Sequence, residues 1–498
     1  MNLTYILNTI SLILKYIAVV MVLPCACAII LKEYTSVVPF FTAAGIAYIL
    51  SIFLRGDIEK GTEFNNINRS ETLATVLLSW LFFSLLSASI FMYFGLSPIN
   101  ALFEGVSGVT TTGATVISDF SEYPKTMFFW RSFSQWLGGM GILVLFIAIL
   151  PQFAIAGRQM FFAESPGASA TESKLTPRIR QTAAALWSIY FLLTVVEMFI
   201  LVGMDMPAFD AICNSFSTLA GGGFSPNSLS IMGYVHTKYI ITIAIFMFLS
   251  GTNFALLYKV FVRRNFSALA KDEEFRLYTL LVLAFTVLIA LILISSNIYG
   301  IQKAFESAFF QVVSVITTTG FASVDFSKWG LTANVVLFLL FFTGASAGSA
   351  SGGVKLIRLI FIFKYLKRQI SKIFHPQGVY PVKLNRVLIS EDVVKQIISF
   401  VIFYYIIFVA SAFFFVILEQ DIVVGTVSAI ASLGNVGPGF GHLIGPMGSY
   451  ESLTFLSKCI FIFNMLIGRL ELIPFLALLH PDFWTFRKAN NLHKIKRI

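Results

Sequence analysis

Long apolar stretches separated by short polar ones run the whole length of this 498-residue chain. About 20 consecutive apolar residues cross the hydrocarbon layer of a bilayer as a helix. Ten stretches of that kind lie near 6–31, 36–54, 72–95, 126–150, 181–203, 234–258, 276–297, 331–363, 396–418 and 451–479. Within each of the last four pairs lies a shorter apolar segment, near 98–110, 207–219, 301–316 and 421–433. None exceeds 16 residues, and a helix rises only about 1.5 Å per residue, so these segments predict half-helices that enter and return on one face.

The pattern therefore predicts an all-α integral membrane protein: two N-terminal spans, then four repeats of span, re-entrant helix and span around one pore. The divisions are 1–66 for the N-terminal pair, 67–157 for repeat 1 and 158–262 for a linker with repeat 2. Residues 263–386 form repeat 3, whose second span is interrupted, and 387–498 form repeat 4 with its tail. Duplication at a period of roughly a hundred residues is the organising fact.

Each half-helix ends in a loop of small residues. Thr110-Thr111-Thr112-Gly113 returns as Thr317-Thr318-Thr319-Gly320, with looser relatives at Ala220-Gly221-Gly222-Gly223-Phe224 and Gly434-Asn435-Val436-Gly437-Pro438-Gly439-Phe440. A single such loop reads equally as a helix C-cap. Four in phase with the span pattern read as one site, because irregular backbone at membrane depth must be buried or line a watery cavity. Four converging loops can present carbonyls that replace the water shell of a bare cation. Glycine admits the crowded backbone, Thr hydroxyls add oxygen, and the half-helix C-termini add partial negative charge. The candidate ligands are Thr111, Thr112 and Gly113; Ala220, Gly221 and Gly222; Thr318, Thr319 and Gly320; and Asn435, Val436 and Gly437. In repeat 2 the key glycine is set at Gly222, with Gly221 and Gly223 as close alternatives.

Composition agrees with the pattern. The chain is 57% hydrophobic and 12% charged, with 53 Phe, against about 25% charge in a soluble domain. Its net charge of +10 is not spread evenly: 26 of the 35 Lys and Arg lie in 55–69, 157–180, 258–276, 355–395 and 483–498. With the N-terminus inside, all five fall on the cytoplasmic face, as basic loops do, and the four short segments fall outside. The charge then reports topology and attraction to anionic lipid, without nucleic acid. The basic loop 364–386 reads as a solvated face or as a meeting point for an acidic partner. Four Cys are too few for a disulfide framework and read as packing residues. The apolar run from Ile6 to Leu31 is too long for a cleaved signal and reads as a retained first helix.

Two further features suggest a gate. Gly344-Ala345-Ser346-Ala347-Gly348-Ser349-Ala350-Ser351-Gly352-Gly353 interrupts a stretch otherwise long enough to span. Each Gly costs a helix about 1 kcal/mol relative to Ala, so this segment should unwind. It reads as a mobile obstruction under the filter, through Gly344, Ser346, Gly348, Ser349, Ser351, Gly352 and Gly353, or as a small-residue packing face. Arg469 lies inside the last span, where an ionisable residue is costly and is a functional candidate by default. It reads as a pore-facing charge, or as a residue that snorkels or pairs with Glu471. Lys458 shares its helix face and reads as a filter support, while Glu104 reads as hydrogen-bonded behind the filter.

On these loops, on Gln135-Trp136-Leu137-Gly138-Gly139-Met140-Gly141, and on the glycine-rich break, the chain resembles the Trk/Ktr/HKT superfamily of potassium transporters. Its two extra N-terminal spans favour the TrkH-type membrane subunit, and the resemblance covers nearly the whole chain. It implies K+ as the transported ion, selected because all four filter positions are glycine where sodium-conducting members can carry Ser in the first. It also implies a gating loop in repeat 3, a gating arginine in repeat 4, and a homodimer in the cell inner membrane. The same resemblance implies a cytosolic nucleotide-binding regulatory subunit. The chain itself has no Walker A motif and no GxGxxG after a strand.

Two other classes compete. A membrane enzyme is disfavoured: there is no HExxH or GxSxG, and the five His, at 236, 375, 442, 480 and 493, are dispersed. A sodium-coupled carrier of small organic solutes would be built from inverted repeats with two broken helices, whereas these copies are parallel and four.

Overall fold

A computed structural model describes residues 3–55, 69–149, 175–234, 236–385, 387–441, 443–472 and 481. The first apolar stretch forms α1 (Leu3–Val20) and α2 (Val22–Ile30), and the second forms α3 (Val37–Phe53). Repeat 1 follows as α4 (Arg69–Tyr93), the half-helix α5 (Pro98–Val109) and α6 (Lys125–Ile149). Repeat 2 consists of α7 (Leu175–Gly203), the half-helix α8 (Ala208–Ala220), α9 (Thr237–Ser250) and α10 (Phe254–Phe261). After a short α11 (Ser267–Lys271), repeat 3 contains α12 (Glu273–Ser295), the half-helix α13 (Ile301–Ile316), α14 (Leu331–Phe341) and α15 (Leu356–Phe374). Repeat 4 contains α16 (Glu391–Glu419), the half-helix α17 (Ile422–Leu433) and α18 (Phe455–Leu470).

The all-α architecture expected from the pattern is what the structure has. Its strands, among the described residues, are a two-residue hairpin, β1 (Lys383–Leu384) with β2 (Val387–Leu388). Six described helices are long and apolar enough to cross a bilayer unaided: Leu3–Ile30, Tyr34–Phe53, Glu71–Tyr93, Ala183–Gly203, Glu273–Ser295 and Glu391–Glu419. These are the N-terminal pair and the first span of each repeat. The second spans of repeats 2 and 3 are the broken ones. The stretch 234–258, read above as one span, is broken at Gly251–Asn253, and its halves meet at 105°. Part of the cause is local: Asn253 Oδ1 accepts from the Ala255 and Leu256 amides at 2.8 and 3.4 Å, capping a new helix where the old one would have continued. The stretch 331–363 is likewise broken, with no helix from 342 to 355. The last stretch becomes helical only at Phe455, and its residues 473–480 lie outside the described residues, as do 56–68, 150–174 and 482–498 of the basic segments.

The four repeats close on one another. Half-helix α5 packs along α4, α8 against α7, α13 against α12 and α17 against α16. The second helix of each repeat also packs on the half-helix of the next: α6 on α8, α9 on α13, α14 on α17, and α18 back on α5. That cyclic order, returning from the fourth repeat to the first, leaves all four half-helices around a common centre. The half-helices carry the buried residues, while Phe41, Phe53, Phe199, Phe413 and Phe414 are exposed on the spans, the lipid-facing arrangement. The N-terminal pair docks on repeat 1, where the Glu33 carboxylate accepts from the Lys125 and Thr126 amides, both at 2.9 Å, and so caps α6. At the opposite end of α12 from its half-helix, two basic segments meet: Glu273 pairs with Lys364, its amide donates to Asn385 Oδ1, and its carboxylate accepts from the Asn385 amide.

Candidate ion-conduction site

Each half-helix ends in the same turn. The amides of Thr111, Gly221, Thr318 and Asn435 bond back to Gly108, Thr218, Val315 and Ser432. The next amides, of Thr112, Gly222, Thr319 and Val436, reach one residue further, to Ser107, Ser217, Ser314 and Ala431. This is the paired-bond ending of a helix whose next residue is left-handed. Accordingly φ is +52° at Thr111, +64° at Gly221, +55° at Thr318 and +53° at Asn435. Three of these residues are not glycine and each carries a backbone cost of about 1 kcal/mol or more. Two residues on, φ is positive again, at Gly113 (+81°), Gly223 (+72°), Gly320 (+80°) and Gly437 (+92°).

That alignment corrects one expected position. In repeat 2 the residues equivalent to Thr111, Thr112 and Gly113 are Gly221, Gly222 and Gly223. Ala220 closes α8 and matches Thr110, Thr317 and Gly434. The register was ambiguous because three successive glycines carry no side chain to mark which is left-handed.

The four loops meet. A Cβ on Gly113 would collide with the carbonyl oxygen of Gly222, one on Gly223 with that of Thr319, one on Gly320 with that of Val436, and one on Gly437 with that of Thr112. Each glycine of one repeat thus lies against the carbonyl preceding the equivalent glycine of the next, and the fourth returns to the first. The ring is held from behind. Gln135 Nε2 donates to Gly222 O at 2.6 Å while its Oε1 accepts from the Phe224 amide at 3.1 Å. Tyr450 Oη donates to Gly437 O at 2.7 Å. Asn435 Nδ2 bridges Thr112 Oγ1 and Met465 O, both at 2.9 Å, and paired hydroxyls at 2.8 Å join Thr110 to Thr112 and Thr317 to Thr319. Ser107 Oγ donates to Ala114 O at 2.6 Å and Ser314 Oγ to Phe321 O at 2.7 Å, the same brace in repeats 1 and 3.

A buried ion pair supports the first quarter. Glu104 on α5 bonds Arg131 Nε on α6 at 2.7 Å and accepts from the Val116 amide at 3.0 Å and Thr115 Oγ1 at 3.1 Å. The Arg131 guanidinium also lies 4.0 Å from the centre of the Phe224 ring, in the next repeat. Glu104 was expected behind the filter. Arg131 was missed, although the rule that singled out Arg469, a charge inside a span, applies to it equally.

Beneath the ring lies the unwound segment of repeat 3. Gly352 N donates to Thr318 Oγ1 at 2.6 Å, and a Cβ on Gly352 would meet Gly434 O at 2.5 Å. A Cβ on Gly221 would lie 3.6 Å from Ala350 O. One loop therefore touches the glycine turns of repeats 2, 3 and 4. Internally, Gly344 N bonds Val354 O at 2.7 Å, Ser349 Oγ bonds Ser346 O at 2.6 Å, and Ser351 Oγ accepts from Ala345 N at 3.2 Å. Gly353, with φ +63°, turns the chain towards α15. The loop is also sewn to the break in repeat 2: Ser346 N to Gly251 O at 3.0 Å, Ala350 N to Ser250 O at 3.2 Å, and Phe254 N to Gly348 O at 3.1 Å. No feature of the sequence announced this junction.

Arg469 is 2% exposed, and its Nη1 donates to Ala350 O at 2.9 Å. It does not pair with Glu471, which takes Arg358 at 2.7 Å. Lys458, towards the other end of α18, bonds Asn100 Oδ1 at 2.8 Å and Glu451 O at 2.7 Å, bracing the start of α5. Backbone and hydroxyl oxygens, not carboxylates, converge here, and no cluster of three or more His, Cys, Asp or Glu suited to a metal occurs among the described residues.

Comparison with known proteins points the same way. Residues 58–483 match the family described as TrkH, cation transport protein. The "Trk system potassium uptake protein TrkH" of Salmonella typhimurium is 37% identical, over 89% of this chain and 91% of that protein. The protein of the same name from Vibrio parahaemolyticus is 35% identical over 96% and 99%. The crystal structure of the potassium transporter TrkH from Vibrio parahaemolyticus superposes with a TM-score of 0.87 at 31% identity, covering 97% of this chain and all of that one. The chain is a multi-pass membrane protein of the TrkH cation transport family.

Proposed function

We propose that this protein takes up K+ across the cell inner membrane through a selectivity filter made of the four glycine turns. The observation that carries the reading is the closed ring of glycine-to-carbonyl contacts, Gly113 to Gly222, Gly223 to Thr319, Gly320 to Val436 and Gly437 to Thr112. Four backbone segments at one level can surround a dehydrated K+ with oxygens. The ends of α5, α8, α13 and α17 bring partial negative charge to the inner side of that ring. The relatives' names state potassium uptake, and the covered share of each chain supports the same cargo here.

In this reading the loop 344–353 is the gate, and Arg469 holds it shut. The loop touches three of the four filter entries, and the buried guanidinium both bonds its Ala350 carbonyl and sets a positive charge beside the path. Opening requires the loop to leave those contacts. The termini lie in the cytoplasm, where the basic segments collect. A homodimer is the working unit, on a cytosolic nucleotide-binding regulatory subunit. The exposed Lys367 and Lys372 of α15 provide charge for such a contact, and the relatives' names place them in a system of more than one component.

The test is K+ flux through the purified protein in liposomes, with no organic solute present, for the parent, Arg469→Ala and a deletion of 346–351. Both variants should conduct more than the parent. If neither does, the gate reading fails. If the parent under no condition passes K+, the uptake reading fails.

A further inference from the structure

The loop beneath the filter has an anchor on a helix that belongs to neither the filter nor the broken span. Glu274, near the start of α12, is 5% exposed. Its Oε1 accepts from the Ala347 amide at 2.7 Å and from the Ile357 amide at 3.0 Å. Ala347 sits midway along the loop, and Ile357 sits in the first turn of α15. One carboxylate oxygen therefore clasps both the loop and the helix that follows it. The Ile357 amide is among those a helix start leaves without an internal partner, and an anion at that end is favoured. From the other side, Lys355 at the cap of α15 donates to the Ser351 carbonyl and hydroxyl, folding the second half of the loop towards the same point. The neighbouring Glu273 does something different: it faces Lys364 and the Asn385 amide at the hairpin.

We propose that Glu274 is a positioning residue for transport, the latch by which the first helix of repeat 3 holds the loop under the filter. This rests on reading that loop as the gate. Arg469 restrains the loop through Ala350 from repeat 4, and the break at Gly251 restrains it from repeat 2. Glu274 supplies the hold from repeat 3 itself, and it acts on the segment where the loop hands over to α15. Movement of the loop away from the filter must part Ala347, Ile357 or both from this carboxylate. α12 is a continuous 23-residue helix, so the latch has a rigid post.

The experiment measures basal K+ flux and the K+ to Na+ permeability ratio in liposomes for the full-length parent, Glu274→Ala, Glu274→Gln and the deletion of 346–351. Gln keeps an acceptor oxygen in place and removes the charge. Alanine should raise basal flux roughly ten-fold, as expected for losing about one charge-assisted hydrogen bond that favours the closed loop. Gln should give an intermediate rise, and both variants should keep the parent's permeability ratio. If the alanine variant does not fold, Gln alone decides, flux above the parent supporting the latch and parental flux overturning it. Parental flux in both variants, with raised flux in the deletion, overturns the latch and leaves the gate standing. A deletion that conducts no more than the parent removes the gate and the latch together. Raised flux with a lowered permeability ratio would trace the effect to filter damage and also overturn the proposal.

Discussion

Replacing Gly113 by Ser tests the ring directly. At φ +81° a side chain already costs about 1 kcal/mol. The new Cβ would also strike the Gly222 carbonyl, which cannot swing aside freely because Gln135 Nε2 holds it at 2.6 Å. Overpacking a tight site costs about 1–3 kcal/mol, so the loop should relax by moving one or more ring carbonyls outward. Under the proposed filter, the preference for K+ depends on where those oxygens stand. A distortion that removes about 1.4 kcal/mol of preference lowers the permeability ratio ten-fold, and we expect a fall of roughly that size. The assay is the reversal potential, or competitive flux, in liposomes with K+ and Na+ on opposite sides. Gly45→Ser is the control, since a Cβ there meets nothing within 4 Å. By the cyclic symmetry Gly320→Ser and Gly437→Ser should act alike. A Gly113→Ser protein that folds, conducts and keeps the parent's ratio would refute the claim that this glycine lies in the filter.

Other expectations follow from the contacts around the ring. Arg131→Met should leave Glu104 buried without its ion-pair partner and destabilise the protein by about 3–5 kcal/mol, whereas Arg131→Met with Glu104→Leu should recover much of that loss. Thermal unfolding in detergent reads both, and equal loss in the single and double variants would contradict the pairing. Gly251→Ala would place a Cβ 2.7 Å from both Thr317 Cγ2 and Tyr278 Oη and 3.1 Å from Ala345 Cβ. It should therefore loosen the seam between the two broken spans and change basal flux, and, by pressing on Thr317 at the start of the repeat 3 turn, it should also lower the permeability ratio. An unaltered ratio would contradict the expectation that the contact with Thr317 carries through to the ring.

Much of this architecture was legible because its physics is local. A spanning helix needs about 20 apolar residues, and a left-handed helix end at membrane depth admits few residue types, so Thr-Thr-Thr-Gly and its relatives stand out wherever they occur. The break at 344–353 was equally visible, being a run of small residues where a helix should be. Legibility failed where the signal was diluted or distant. Gly221, Gly222 and Gly223 are identical as letters, and only the backbone distinguishes the left-handed pair from the residue between them. Gly251 and Asn253 are two small interruptions in an apolar run, and whether such a run breaks depends on what waits to bond it. Here that is the loop from repeat 3. Arg131, Glu274 and Lys355 take their meaning from partners in other elements, which no spacing rule along the chain reveals.

Those failures share a cause that bears on mechanism. The four glycine turns obey one rule in every repeat; under the proposed filter an ion on the axis meets each quarter in the same way, and duplication preserves what symmetry demands. The inner side obeys no such rule. Repeat 3 contributes a loop, repeat 2 a broken helix that bonds it, repeat 4 an arginine on Ala350, and repeat 1 an unbroken α6 instead. A gate can be asymmetric because obstructing a path takes one obstacle, whereas selecting an ion takes oxygens on every side. Substitutions in the filter should therefore act alike from repeat to repeat. On the inner side they should act according to the partner each residue meets, so that Arg469, Gly251 and Glu274, from three different quarters, converge on basal flux.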